Sequence, residues 1–144
     1  MAIARTGRRR PRRLSTDEVF IALIIDAMEA NNHTAPDEAA RAQHIIWSMS
    51  RFRNRNGATL WRLITSMKQM AHDYAPEDVI SAACRAIPVQ LRGAAFTIVA
   101  DVILVDGRVQ RGERRFLMSV AKQLDQTSTK TKTILDVIRL KNRA

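Results

Sequence analysis

The segment 94–117 reads AAFTIVADVILVDGRVQRGERRFL. Its apolar first half contains a single carboxylate, Asp101, and ends at the turn pair Asp106-Gly107. Apolar residues then recur at helical spacing from Phe116 onward. Glycine adopts a positive φ without strain, so we expect Gly107 to end the first helix and lead into a second. The segment therefore predicts a helical hairpin in an all-α protein.

The rest of the chain follows the same helical pattern. No stretch alternates apolar and polar residues for long enough to predict a strand, and most glycines and prolines stand where helices would begin or end. The first helix has a strong start signal, because Ser15 and Glu18 can form a capping box and Leu14 and Val19 a hydrophobic staple. Breaks are expected at 31–33, 54–57, 88, 106–107 and 127–129. This pattern predicts a compact bundle of about seven short helices.

The positive charge is concentrated at the beginning of the chain. The 144 residues include 24 basic and 14 acidic side chains, a formal net charge of +10. Residues 1–13 contain six arginines and no acid, so the remainder carries only +4. Few apolar side chains are present there to be buried. We therefore expect residues 1–14 to form a disordered, arginine-rich arm and residues 15–142 to form the helical domain.

Composition excludes several classes of protein. A single cysteine, Cys84, cannot form an internal disulfide, so the chain is not a disulfide-stapled scaffold. The longest apolar runs are interrupted by Asp26 and Asp101, well short of the roughly 20 residues of a membrane span. The basic arm is followed by acidic residues and not by an apolar segment, which argues against a secretory signal. We expect a cytoplasmic protein without a transmembrane segment.

Catalysis is not predicted. The sequence has no nucleotide-binding glycine loop and no convincing pair of nucleophile and base. Cys84 stands on the apolar side of the fourth expected helix, which is typical of a small core residue. The sequence therefore favours a binding function.

The hairpin carries a family resemblance. Residues 100–113 fit the pattern A-D-x4-D-G-x-V-x3-E, and Phe116-Leu117 follow. This segment lies in the last third of the chain and resembles the tellurite-resistance TerB-like family of small all-helical bacterial proteins. The resemblance implies a non-enzymatic module of stress response or tellurite resistance, with acidic residues at helix ends and loops that bind a divalent metal such as Ca or Mg.

A faint internal repeat extends the acidic set. A shift of 75 residues places Asp26 on Asp101 and Glu38 on Glu113. The expected metal ligands are therefore Asp101, Asp106 and Glu113 at one site, and Asp26, Glu29 and Glu38 at a second site or a shared one. The alternative is structural, because a carboxylate within an apolar run needs a partner and acids near a helix N-terminus are favoured by its dipole. Candidate partners are Arg41, Arg92 and Arg115.

The second functional hypothesis rests on arginine. The expected anion-binding residues are Arg8, Arg9, Arg10, Arg12 and Arg13 in the arm, and Arg51, Arg53 and Arg55 after the second helix. They would make the protein an electrostatic adaptor for nucleic acid, an anionic membrane surface or an acidic protein. The alternative is that these cations are solvated helix ends. A third possibility is a subunit that binds another protein through an exposed helical face.

Overall fold

The computed structural model describes residues 10–30, 36–106 and 109–143, without the side chains of residues 36–39, 41 and 106. The described residues form helices and turns, with no strand among them, which confirms the all-α prediction. The helices are α1 (Thr16–Ala30), α2 (Pro36–Ser48), α3 (Gly57–Asp73), α4 (Pro76–Ala86), α5 (Arg92–Ile103), α6 (Arg111–Gln123) and α7 (Ser128–Lys141). Short 3₁₀ turns at Val89–Leu91 and Leu104–Asp106 precede and follow α5.

The start of α1 confirms the local signals of the sequence. The Ser15 amide donates to Glu18 Oε1 at 2.9 Å, and the Glu18 amide donates to Ser15 Oγ at 3.2 Å. Each hydrogen bond satisfies an amide that the first helical turn leaves without a partner. Leu14 and Val19, the two residues of the expected staple, are both buried.

Helix α1 is the centre of the bundle. Every residue from Glu18 to Ala27 is buried, and α3, α4 and α5 pack around the helix with further contacts from α2 and α6. A helix that is apolar on all sides must be enclosed by neighbours, and this explains the absence of a one-sided apolar stripe in 19–25. Asp26 lies within this enclosed stretch, so a carboxylate stands in the core.

The predicted hairpin consists of α5 and α6. Val99 and Ile103 on α5, and Leu117 and Val120 on α6, are buried. Helix α5 ends two residues before the expected Val105, in a 3₁₀ turn. The expected role of Gly107 lies outside the described residues.

Helix α7 packs on α5 through Leu135 and Ile138, which are buried. Val137 is apolar as well, but it is 59% exposed. Helical spacing places Val137 about 200° around the axis from Leu135, on the opposite face of the helix. The apolar face of α7 is therefore narrower than its composition indicated.

Residues 10–14, which composition assigned to the arm, run along the folded domain. Pro11 and Leu14 are buried, and Arg12 pairs with Glu18. Two apolar anchors and an ion pair supply contacts that the arginine-rich composition did not reveal. The expectation of disorder for residues 1–9 lies outside the described residues.

The helices are short, and the longest, α3, has 17 residues. Within the described ranges no single helix is long and apolar enough to cross a membrane. Residues 76–86 and 89–103 pass the length and composition criteria only as a pair, and that pair is bent by 116°. Pro88, which cannot continue a helix, stands at the break.

Candidate functional site

Two acidic residues of the hairpin, Asp101 and Glu113, are engaged in structural contacts. Asp101 Oδ1 accepts a hydrogen bond from Lys141 Nζ at 2.6 Å, so its partner is a lysine and not one of the expected arginines. Glu113 Oε1 accepts from the Gln110 amide at 2.9 Å and forms the capping box of α6. The second oxygen of Glu113 is buried and has no hydrogen-bond partner among the described residues. The side chain of Asp106 lies outside the described residues.

Asp26 is the unusual member of the acidic set. It is buried at 3% exposure, and neither carboxylate oxygen has a hydrogen-bond partner in the described part of the chain. Burial, reinforced by the nearby Glu29, raises the pKa of Asp26 to about 8. Burial also raises the pKa of Glu29. The side chain of Glu38 lies outside the described residues.

Convergence of these acids into a metal site is not observed in the part of the chain that is described. No group of three or more His, Cys, Asp or Glu side chains there could hold a metal ion. The contacts of Asp101 and Glu113 are those of an ion pair and a helix cap. Because the side chains of Asp106 and Glu38 are not described, metal binding stays a prediction.

The expected anion site after α2 is largely engaged within the protein. Arg51 and Arg55 both pair with Asp17, at 2.9 and 2.7 Å, and the Arg51 guanidinium lies 5.5 Å from the centroid of the Phe20 ring. These contacts connect the turn that follows α2 to the beginning of α1. Arg53 is exposed and forms no ion pair with a described residue.

Arg12 is held against the first turn of α1. Arg12 forms two hydrogen bonds with Glu18, at 3.0 and 2.5 Å, which hold the pKa of Glu18 down at about 2. On either side of this pair, Arg10 and Arg13 are exposed. Arg8 and Arg9 lie outside the described residues.

Two adjoining clefts lie where this segment crosses α4. One, of about 490 Å³, is lined by Arg10, Pro11 and Arg85 together with Asp78 and Ser81. The other, of about 400 Å³, is lined by Arg12, Arg13 and Arg85 together with Pro11 and two alanines of α4. We call the set Arg10, Arg13 and Arg85 the N-terminal arginine surface. None of these three forms an ion pair with another described residue.

Arg85 is not among the anion-binding residues that the sequence predicts. It stands in the last turn of α4, where a cation is favoured by the helix dipole and is unremarkable in a sequence. Only the packing of residues 10–14 on α4 brings it beside the arginines of the N-terminal segment.

Among the described residues, Cys84, His44 and His72 are not arranged for nucleophilic or acid–base chemistry. Cys84 is buried, and burial raises the pKa of its thiol to about 12, which disfavours the reactive thiolate. His44 and His72 are exposed and lie on different helices, α2 and α3. Within the described residues the clearest functional features are therefore cationic surfaces.

Comparison with protein-family models, curated proteins and solved structures finds no match to this chain. The resemblance of residues 100–117 to TerB-like proteins therefore stays a prediction based on those residues alone.

Proposed function

We propose that this chain is a non-enzymatic binding module that docks on phosphate-bearing surfaces through the N-terminal arginine surface. The observation that carries this proposal is the convergence of Arg10, Arg13 and Arg85 at two adjoining clefts, exposed and without carboxylate partners among the described residues. Arg5, Arg8 and Arg9 precede this surface in the sequence and add three positive charges to the same segment of the chain.

The chemistry of arginine supports phosphate as the recognised group. A guanidinium is always charged at neutral pH, and its planar fork of donors matches two oxygens of a phosphate. Three guanidinium groups at adjoining clefts can contact successive phosphates of a polymer or several lipid headgroups. Such contacts provide affinity and salt dependence but little sequence discrimination.

Local packing holds these arginines in place. Pro11 and Leu14 are buried, and the bidentate contact between Arg12 and Glu18 fixes the segment between them. Arg10 and Arg13 are therefore attached to a backbone that is already ordered. Less conformational entropy is lost on binding than for a free arginine-rich peptide.

The proposal is tested by the binding of the full chain to two phosphate-bearing probes. One is a labelled DNA duplex of about 20 base pairs, and the other is vesicles of phosphatidylserine in phosphatidylcholine, each measured between about 50 and 200 mM salt. We expect binding that weakens steeply with salt. Binding to the duplex alone assigns nucleic acid, and binding to the vesicles alone assigns a membrane surface. Binding to neither at low salt overturns the proposal.

A second candidate function is the divalent-metal module implied by the TerB-like resemblance. The observation that favours it is Asp26, a buried carboxylate without a partner in the described residues and with Glu29 nearby. A bound cation would supply the missing partner. Calorimetric titration with Ca²⁺, Mg²⁺ and Mn²⁺ tests this function. Absence of heat and of any change in melting temperature at millimolar metal would remove it.

A further inference from the structure

A groove runs between α6 and α7. Both helices pack on α5, but they make little contact with each other. The space between them is an open groove of about 570 Å³. We call it the α6–α7 groove. It lies on different helices from the N-terminal arginine surface and takes no part in the function proposed above.

The floor of the groove is apolar. Leu117, Ala121 and Leu135 form its inner part, and Met118 lies at its edge with 43% of its surface exposed. An unbranched methionine adapts its shape to different partner side chains, which makes it a common residue at binding surfaces. Leu117, Ala121 and Leu135 are already largely buried, so Met118 provides most of the apolar side-chain surface that a partner can cover.

The rim of the groove is cationic on both sides. Arg114 and Lys122 line it from α6, and Lys132 and Arg139 line it from α7. The first three form no ion pair with a described residue, and Arg139 has only a 3.9 Å contact to Asp136. No carboxylate is among the residues that line the groove.

We propose that the α6–α7 groove binds an acidic amphipathic helix of a protein partner. An apolar floor between two rows of cations is complementary to a helix with one apolar stripe and carboxylates on both flanks. Contact of the apolar stripe with Met118 would anchor the partner, and the flanking charges would select the partner and its orientation.

The dimensions of the groove suit a helix of three to four turns. Helix α6 has 13 residues and is therefore about 20 Å long. Arg114 and Lys122 are eight positions apart, about 12 Å along the axis, and Lys132 and Arg139 are separated by about 10 Å. Carboxylates spaced by seven or eight residues on the partner would meet both cations of one wall.

Other occupants fit the groove less well. A nucleic acid backbone would leave the apolar floor uncovered by any matching surface. The arginine-rich residues 1–13 of this chain carry the same sign of charge as the rim, and a second copy of a chain with net charge +10 is repelled overall. An acidic partner is attracted by both the rim and the net charge.

The test uses the full chain and two synthetic labelled peptides of about four helical turns. The acidic peptide carries leucines at positions i, i+3, i+4 and i+7 with flanking glutamates, and the basic peptide has every glutamate replaced by lysine. We expect fluorescence anisotropy to show binding of the acidic peptide and at least about tenfold weaker binding of the basic one. Equal binding of both peptides, or no binding of the acidic peptide, overturns the proposal.

Paired variants locate the binding surface. Met118→Glu places a carboxylate in the groove, and Val137→Glu places one on the exposed face of α7 outside it. We expect at least about tenfold weaker binding of the acidic peptide for the first and unchanged binding for the second. Circular dichroism verifies that both variants fold. Similar losses in both, or a loss in neither, contradict the assignment.

A charge exchange provides a result that misfolding cannot mimic. The double variant Lys122→Glu and Lys132→Glu should lose the acidic peptide and gain the basic one. Failure to gain the basic peptide contradicts the electrostatic part of the proposal. Duplex binding by the same variants reports on the N-terminal arginine surface, so failure of either proposal is recognised independently of the other.

Discussion

Lys141 near the end of α7 donates to the Asp101 carboxylate of α5 at 2.6 Å. Both side chains are substantially exposed, Lys141 at 59% and Asp101 at 40%. Asp101 was the most conspicuous acid of the hairpin sequence because it interrupts an apolar run. Its contact with Lys141 joins the last helix to α5, and the carboxylate is neutralised by a side chain of the protein itself.

This geometry predicts a small effect for removal of the lysine. Lys141→Gln should lower the free energy of unfolding by less than about 1 kcal/mol, since exposed ion pairs are screened by solvent. Urea denaturation measures the change, with Lys132→Gln as a matched control that breaks no ion pair of a described residue. A loss above about 3 kcal/mol would show that the pair is far more important to the fold than its exposure indicates.

Asp26 should make the protein less stable as the pH rises. Burial raises the pKa of Asp26 from 3.8 in its ordinary state to about 8 in the folded protein. Between these values the unfolded chain has released the proton and the folded chain still holds it. The free energy of unfolding therefore decreases with pH, by up to about 1.4 kcal/mol per pH unit, until the folded carboxyl ionises near pH 8.

The measurement is the difference between wild type and Asp26→Asn in denaturant unfolding from pH 5.5 to 8. We expect the variant to gain stability relative to wild type over that range, and Asp136→Asn, at an exposed site, to show no such trend. The exposed histidines cancel in the difference. A constant difference across the pH range would mean that Asp26 is ionised or has a partner in the folded protein.

Glu18 should give the opposite dependence at acid pH. The hydrogen bonds from Arg12, with the help of the Ser15 amide, lower the pKa of Glu18 from 4.5 to about 2. The stabilisation is therefore complete above pH 4.5 and is lost as the pH falls toward 2. Glu18→Gln should cost about 1–2 kcal/mol at pH 6 and much less at pH 2.5, measured by urea unfolding. A cost that does not change with pH would refute the charged contact.

Cys84 should be unreactive in the folded protein. With a pKa of about 12, roughly one thiol in ten thousand is ionised at pH 8, and the side chain is buried. Iodoacetamide should alkylate the protein slowly under native conditions and rapidly in denaturant, as followed by mass spectrometry. Rapid native alkylation would indicate that α4 exposes its inner face.

Contacts between residues within one helical turn could be predicted from the sequence, whereas contacts between distant segments could not. Ser15 and Glu18 are three residues apart, so their capping box was visible. The partner of Asp101 lies 40 residues away, and the pairing of Asp17 with Arg51 spans 34 residues. Helical spacing places Leu117 on the apolar face of α6, but it does not show whether α7 covers that face. The α6–α7 groove therefore could not be predicted.

Phosphate binding should depend most on Arg10, Arg13 and Arg85. The measurement that tests this most directly is the affinity of the full chain for a DNA duplex or anionic vesicles as a function of salt concentration. One triple variant replaces these residues with glutamine. A control variant replaces Arg62, Arg111 and Arg143 with glutamine; these residues are exposed elsewhere, and their replacement removes the same charge. We predict that the first variant weakens binding and reduces the slope of log K against log salt concentration by about two to three. The control variant should retain most of the affinity and most of the slope. Equal losses in the two variants would contradict a localised phosphate-binding surface.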